Sequence, residues 1–409
     1  MTEERSRLAV PSAALARLRR AALDGDLEAC CQLGRCFAHG WGGPRDEREA
    51  FAWFLRAARG GHDDAALRAA RLLLRRVDAR EHEADVYSAL QRAAHGGHAE
   101  AQALLGWCYQ RGRLVEVEDR AAAIEWLHRA ALAGSTSGRY FLALNLQRGL
   151  GIGRDERAAA VLLELAAEQG DVRAQLAFGR ALSEGRGVAR DCGAALTWYR
   201  AAAARGHARA QYSLALLLAG GAAPEQDDEE AACWMLAAAR QGLPRAQYML
   251  AAMFERGLGI AQDLVSARHW LEQAARQGHV KSQWRLYRWL KRAGHGAAAL
   301  RWLEAAAEGG DPHAQYRLAR HHLKLGAETS KLRAFVLFER AAKEGDARAA
   351  YCLGVCHYRG VGTRPDPLQA YRCFKRAAQL GSTAALTALQ SLSGRLGPDP
   401  LTQASGPAS

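Results

Sequence analysis

The sequence predicts an all-α fold, a stack of about ten helix-turn-helix repeats of about 36 residues, on three observations. A glycine opens a similar stretch at Gly25, Gly61, Gly97, Gly134, Gly170, Gly206, Gly242, Gly278, Gly310, Gly345 and Gly381; the intervals are 36, 36, 37, 36, 36, 36, 36, 32, 35 and 36 residues. Apolar residues in each stretch recur at helical spacing in two runs. A glycine-rich break divides the runs, as at Gly40 and Gly42, Gly149 and Gly151, Gly185 and Gly187, Gly257 and Gly259, and Gly360 and Gly362; glycine suits a helix exit because the left-handed conformation costs least without a Cβ.

Taken in order, residues 1–24 read as a lead followed by a capping helix from about Ser12, with Pro11 at its entrance and Leu15, Leu18 and Ala22 on one stripe. The repeats occupy 25–390. An Ala recurs early in the first helix, as at Ala174, Ala210 and Ala246, followed four residues on by Leu or Phe and then by Gly or Ala; small residues there let helix axes approach closely. An acid opens the second helix at Asp46, Asp119, Asp155, Asp191, Asp227, Asp263 and Asp366, where a carboxylate accepts from first-turn amides. Trp53, Trp126, Trp198, Trp234, Trp270 and Trp302 share one second-helix position and read as scaffold. Residues 381–390 form half a repeat over the last pair, because one helix pair cannot bury its apolar face alone. Residues 391–409 turn to Gly, Pro, Ser and Thr and are expected to be a disordered tail.

These motifs resemble Sel1-like repeats, a relative of the tetratricopeptide repeat. The matching residues are A-Q-x-x-x-G at Ala174–Gly179, A-Q-Y at Ala210–Tyr212, Ala246–Tyr248 and Ala314–Tyr316, G-x-G-V at Gly185–Val188, and A-x-x-W-x-x-x-A-A in the second helices. The resemblance spans about Gly25 to Gln390. It implies a right-handed α-solenoid whose first helices line a concave surface, and an adaptor or scaffold role in protein complexes.

Composition narrows the function. The 56 Lys+Arg against 43 Asp+Glu give a net charge of +13, which favours acidic partners. No apolar run approaches the roughly 18 residues of a membrane span, and the N-terminal stretch lacks an uninterrupted apolar segment. A soluble, cytoplasmic, bacterial-type protein is expected. Its nine cysteines follow no even framework and read as reduced, packed thiols. Cys352, Cys356 and His357 share a helix without a second ligand pair at zinc spacing, so no metal is expected. Walker, nucleophile-elbow and Ser-x-x-Lys motifs are missing, and neither enzymatic activity, a cofactor nor a small-molecule substrate is expected.

Functional information lies in the positions that differ between copies. Counting from the opening glycine, offsets 4, 8 and 12 read as buried, and offsets 3, 7, 10 and 14 as the adjoining groove-facing stripe. At offset 3 the chain runs Glu28, Asp64, Glu100, Ser137, then Arg173, Arg209, Arg245, Lys281, His313 and Arg348, so the sign changes halfway. Cations in a helix's first turn oppose the macrodipole. The eighth repeat, shortened to 32 residues, carries Lys281, Arg285, Arg288 and Arg292 on this stripe, and the ninth carries His313, Arg317, Arg320 and Lys324. An echo lies at Arg68, Arg71 and Arg75. Tyr287 replaces Gly or Ala, and Trp289 has no aromatic counterpart; they either fill space left by the shorter turn or stack on a ligand. An acidic or phosphorylated protein segment docked across repeats five to ten is the expected partner, held by Arg285, Arg288, Arg317 and Arg320, with Trp107, Met249 and Tyr287 as apolar anchors. The alternatives are single-stranded nucleic acid on the basic-aromatic face, which the acidic first repeats oppose, and a merely compositional Arg excess.

Overall fold

The computed structural model describes residues 12–75, 79–115, 118–220 and 227–396. Among them are 22 α-helices, one short 3-10 turn and no strand. The first eleven helices are α1 (Ser12–Leu23), α2 (Leu27–His39), α3 (Glu47–Arg59), α4 (Asp63–Arg75), α5 (Glu83–His95), α6 (Ala99–Arg111), α7 (Arg120–Leu132), α8 (Thr136–Arg148), α9 (Glu156–Glu168), α10 (Val172–Glu184) and α11 (Cys192–Ala204). They are followed by α12 (Ala208–Ala219), α13 (Asp228–Arg240), α14 (Pro244–Arg256), α15 (Leu264–Arg276), α16 (Val280–Arg292), α17 (Gly296–Glu308), α18 (Pro312–Leu325), α19 (Glu328–Lys343), α20 (Ala347–Arg359), α21 (Pro367–Gln379) and α22 (Thr383–Leu396). The fold is the expected α-solenoid. It divides within α12 into two compact units, the first ending at Ala210 and the second starting at Gln211.

In the first unit, α10 and α11 show how sequence makes one repeat. Asp171 accepts from the amides of Arg173 and Ala174, which starts α10. Ala174, Phe178 and Leu182, at offsets 4, 8 and 12, are buried as expected. Gly185 (φ 70°) ends the helix, and Asp191 caps α11 by accepting from Ala194 N–H. Two glycines fit by approach. A Cβ on Gly179 would stand 2.8 Å from the Tyr199 ring, and one on Gly187 would stand 1.9 Å from the Glu156 carbonyl oxygen of the preceding repeat. The core of this unit runs through Leu33, Phe54, Leu73, Leu90 and Leu105, with Leu15 and Leu18 of α1 packed against it.

The second unit repeats the pattern. Asp227, Asp263 and Asp366 cap α13, α15 and α21. The eighth repeat departs as its length predicts: only Ala293, Gly294 and His295 join α16 to α17, and His295 makes no side-chain cap. Tyr287 of this repeat is buried, 7 % exposed and stacked on Trp284 at 5.2 Å. At the end of the chain α22 runs to Leu396, past the expected limit at 390, because Leu392 is buried with Ala370 and Phe374. The rest of the expected tail, like Pro11, lies outside the described residues.

Two columns do more than the sequence reading assigned them. The Gln of A-Q reaches back to the preceding second helix: Gln102, Gln175, Gln247, Gln283 and Gln315 donate to the carbonyls of Ala94, Ala167, Ala239, Ala275 and Ala307 at 3.0–3.2 Å. Three histidines at repeat openings are caps, His62, His98 and His207 accepting through Nδ1 from the amides of Ala65, Ala101 and Ala210, whereas the His279 ring bonds the Ser282 hydroxyl at 2.8 Å. In the tryptophan column only Trp126 is fully buried; the others are half-buried against neighbours, as Trp198 is edge-on to Phe178.

Candidate functional site

In the first unit the offset-10 arginine of one repeat meets the offset-3 carboxylate of the next. Arg35 of α2 donates to Asp64 of α4 at 2.7 Å, and Arg71 of α4 donates to Glu100 of α6 at 3.0 Å. Each acid has further partners: Arg68 at 3.4 Å for Asp64, and the Ser135 hydroxyl at 2.6 Å for Glu100. Burial pushes the Asp64 carboxyl up, but Arg68 and Arg35 outweigh it and hold it below its ordinary value. The acidic half of the offset-3 column is therefore neutralised within the protein.

In repeats eight and nine the offset-10 arginine remains, as Arg288 and Arg320, but offset 3 holds Lys281 and His313 in place of an acid. Arg288 of α16 stands at offset 10, and the first-turn residue of the next repeat is His313 of α18. Among the described residues no carboxylate pairs with Arg288, Arg292 or Arg317. These three line one hollow of about 310 Å³ with Lys291, Trp284 and Tyr287, and no acid lines it. The Lys291 ammonium donates to the Tyr287 hydroxyl at 3.3 Å. A second hollow of about 460 Å³ adjoins it, lined by Arg317, Arg320, His321 and Lys324 on α18, Leu300 and Leu303 on α17, and Tyr287 and Lys291 on α16. Arg288 and Arg292 also line a hollow of about 380 Å³ with Glu255, Arg268 and Arg285, where Trp289 sits under the Arg268 guanidinium at 4.6 Å, and Arg288 and Arg317 line one of about 540 Å³ with Asp346.

Not every residue singled out in the sequence joins this face as expected. Arg285 pairs with Glu255 of α14 and lies over the Tyr248 ring, so its charge is already met. Tyr287 belongs to the core and is only 7 % exposed to the hollows it lines. Lys281 is exposed in the first turn of α16, and Arg245 is exposed at the start of α14; burial, then Arg245 and Lys281, hold the His279 imidazole below its ordinary value. Lys291 and Trp284 complete the face. Their columns are unremarkable in sequence. Cys352 and Cys356 are packed thiols, raised by burial to about 11 and about 12.

Residues 27–62, 99–135, 136–171, 172–207, 208–243, 244–279, 296–311, 312–346 and 347–382 match the Sel1 repeat, together well over half of the chain. The chain belongs to the Sel1 repeat family. The Sel1 matches leave out 63–98 and 280–295, which hold Arg68, Arg71 and Arg75 in one case and the whole of α16 in the other. The chain is similar to the crystal structure of a Sel1 repeat protein from Oxalobacter formigenes, with 31% identity over 77% of this chain and 95% of that one and a TM-score of 0.59. It is also similar to a protective antigen of uropathogenic Escherichia coli strains with an SLR fold, with 29% identity over 92% of this chain and 82% of that one and a TM-score of 0.58. No curated protein matches it in sequence. Sel1 and related repeats generally mediate protein–protein interaction, and the Sel1 family is typically non-catalytic scaffolding. Among the described residues no helix is long and apolar enough to cross a membrane.

Proposed function

We propose that this chain is a non-enzymatic, cytoplasmic adaptor of bacterial type that binds an acidic or phosphorylated protein segment on the first-helix face of repeats eight and nine. One observation carries the reading. Arg288, Arg292 and Arg317 converge with Lys291 on a hollow without an acid, whereas Arg35 and Arg71, which hold the offset of Arg288 in the first two repeats, each hold a carboxylate. Guanidinium groups form short, often bidentate bonds to carboxylate and phosphate, so a partner's anions occupy the places that Asp64 and Glu100 fill elsewhere. Arg320 and Lys324 extend the contact along α18, Lys281 and Arg245 add long-range attraction, and the edges of Trp284 and Tyr287 supply apolar contact.

The test compares fluorescein-labelled peptides of alternating Glu and Ser, with and without phosphorylation of the serines, by anisotropy at low salt. Both peptides are expected to bind, and the triple variant Arg288→Glu, Arg292→Glu, Arg317→Glu to lose at least tenfold in affinity with unchanged helicity by circular dichroism. Equal binding by the variant removes this face from the reading. An oligothymidylate that binds more tightly than either peptide, with affinity falling steeply as salt is added, decides for nucleic acid instead.

A further inference from the structure

The columns that carry arginine in repeats eight and nine carry large apolar residues in repeats three and four. At offset 7, Leu104 and Phe141 stand where Arg285 and Arg317 stand; at offset 10, Trp107 stands where Arg288 and Arg320 stand. Leu104, Trp107 and Phe141, with Leu74 of α4, line a hollow of about 680 Å³ on the first-helix face of the first unit, and all four are only half-buried. First helices α4, α6, α8 and α10 line it in succession, which makes an elongated trough rather than a compact cavity.

The trough's polar margin is satisfied except at one end. Glu100 is held by Arg71 and Ser135, and Arg173 by Asp171 at 2.6 Å and Ser137 at 3.2 Å. Arg75, exposed at the end of α4, has no carboxylate among the described residues, and the lining residues Arg71, Arg75 and Arg173 face a single acid, Glu100. An apolar wall with a few placed charges is the composition of an anchoring pocket, where a bulky side chain loses its water and a charge beside it sets orientation.

We propose that this trough is a second docking site, which takes a partner protein segment bearing a bulky apolar side chain beside a carboxylate: the side chain packs against Leu74, Leu104, Trp107 and Phe141, and the carboxylate meets Arg75. The site stands independently of the basic face of the second unit. The full chain, immobilised, is used to select 12-residue peptides from a random display library. The expected consensus pairs Leu, Phe or Trp with an adjacent Asp or Glu, and the synthesised peptide is expected to bind at least tenfold more weakly to Arg75→Glu and to Leu104→Ser. Arg75 is exposed, so Arg75→Glu keeps the fold, and a peptide with Lys in place of the acid recovers binding to that variant. The triple variant Arg288→Glu, Arg292→Glu, Arg317→Glu binds the selected peptide as the parent does. A consensus without the apolar–acid pair, or one whose binding ignores Arg75→Glu and Leu104→Ser, overturns the proposal. Binding lost only in the triple variant places that peptide on the basic face, which overturns this site and leaves the other intact.

Discussion

Asp346 condenses at one side chain the way charges are handled in this fold. It caps α20 by accepting from the amides of Arg348 and Ala349, and it takes further bonds from Arg348 at 2.7 Å and from His313 at 2.9 Å. Burial is the largest single influence on its carboxyl and pushes it up, but the bonds from Arg348, Ala349 and His313 outweigh it and lower the carboxyl from 3.8 to about 2. A depressed carboxylate stabilises the fold above its unfolded value of 3.8, and that contribution is lost as pH falls through about 2. The difference corresponds to about 2 kcal/mol. Asp346→Asn keeps a capping side chain, so it isolates the charge. In urea titrations the gap between the wild type and this variant is expected to shrink as pH falls from 7 toward 2, and a constant gap would refute the linkage. The capping acids of the second helices were legible in sequence because a cap acts within three residues. The pairing of Arg285 with Glu255 was not, since the two residues belong to different repeats and no periodic column brings them together.

Helices and turns were the most legible level, since a period repeated ten times states its own boundaries. What periodicity cannot state is what each glycine faces. Gly187 and Gly206 both hold positive φ, 72° and 81°, yet a Cβ on Gly206 meets open space while one on Gly187 runs into the Glu156 carbonyl. Gly206→Ala therefore carries only the left-handed backbone cost of about 1–2 kcal/mol. Gly187→Ala adds about 1–3 kcal/mol because the turn must lift off the preceding repeat. Midpoints of chemical denaturation for the two variants are expected to differ in that order, and equal midpoints would show that the turn does not rest on its neighbour. Asp155→Ala is expected to cost about 1 kcal/mol and Asp155→Asn much less, because α9 begins on the Asp155 carboxylate and asparagine also accepts from first-turn amides. The bonds of the glutamine column are not legible in sequence because their partners are backbone carbonyls, which carry no sequence signal.

Over the whole chain, the sign change along the offset-3 column pointed to the basic face, but its meaning came from the partners. The same arginine position is paired in repeats one and two and open at Arg288 in repeat eight, and only the fold shows which acids are already taken. Stacking also governs how a cut at the end is felt. In a solenoid each repeat is stabilised chiefly by its neighbours, so a lost terminal element costs most where it packed. α22 covers Ala370 and Phe374 through Leu392, and Ala377 through Ala385. Burying one such large apolar side chain contributes about 1.5–3 kcal/mol, a factor of roughly 10 to 150 in a local opening equilibrium. In hydrogen exchange, deletion of residues 381–409 is expected to speed α21 by that factor and α20 by less, leaving α14 and α15 unchanged. Acceleration spread evenly over the second unit would show instead that it opens as one cooperative body, and the basic face on α16 and α18 would then weaken with it.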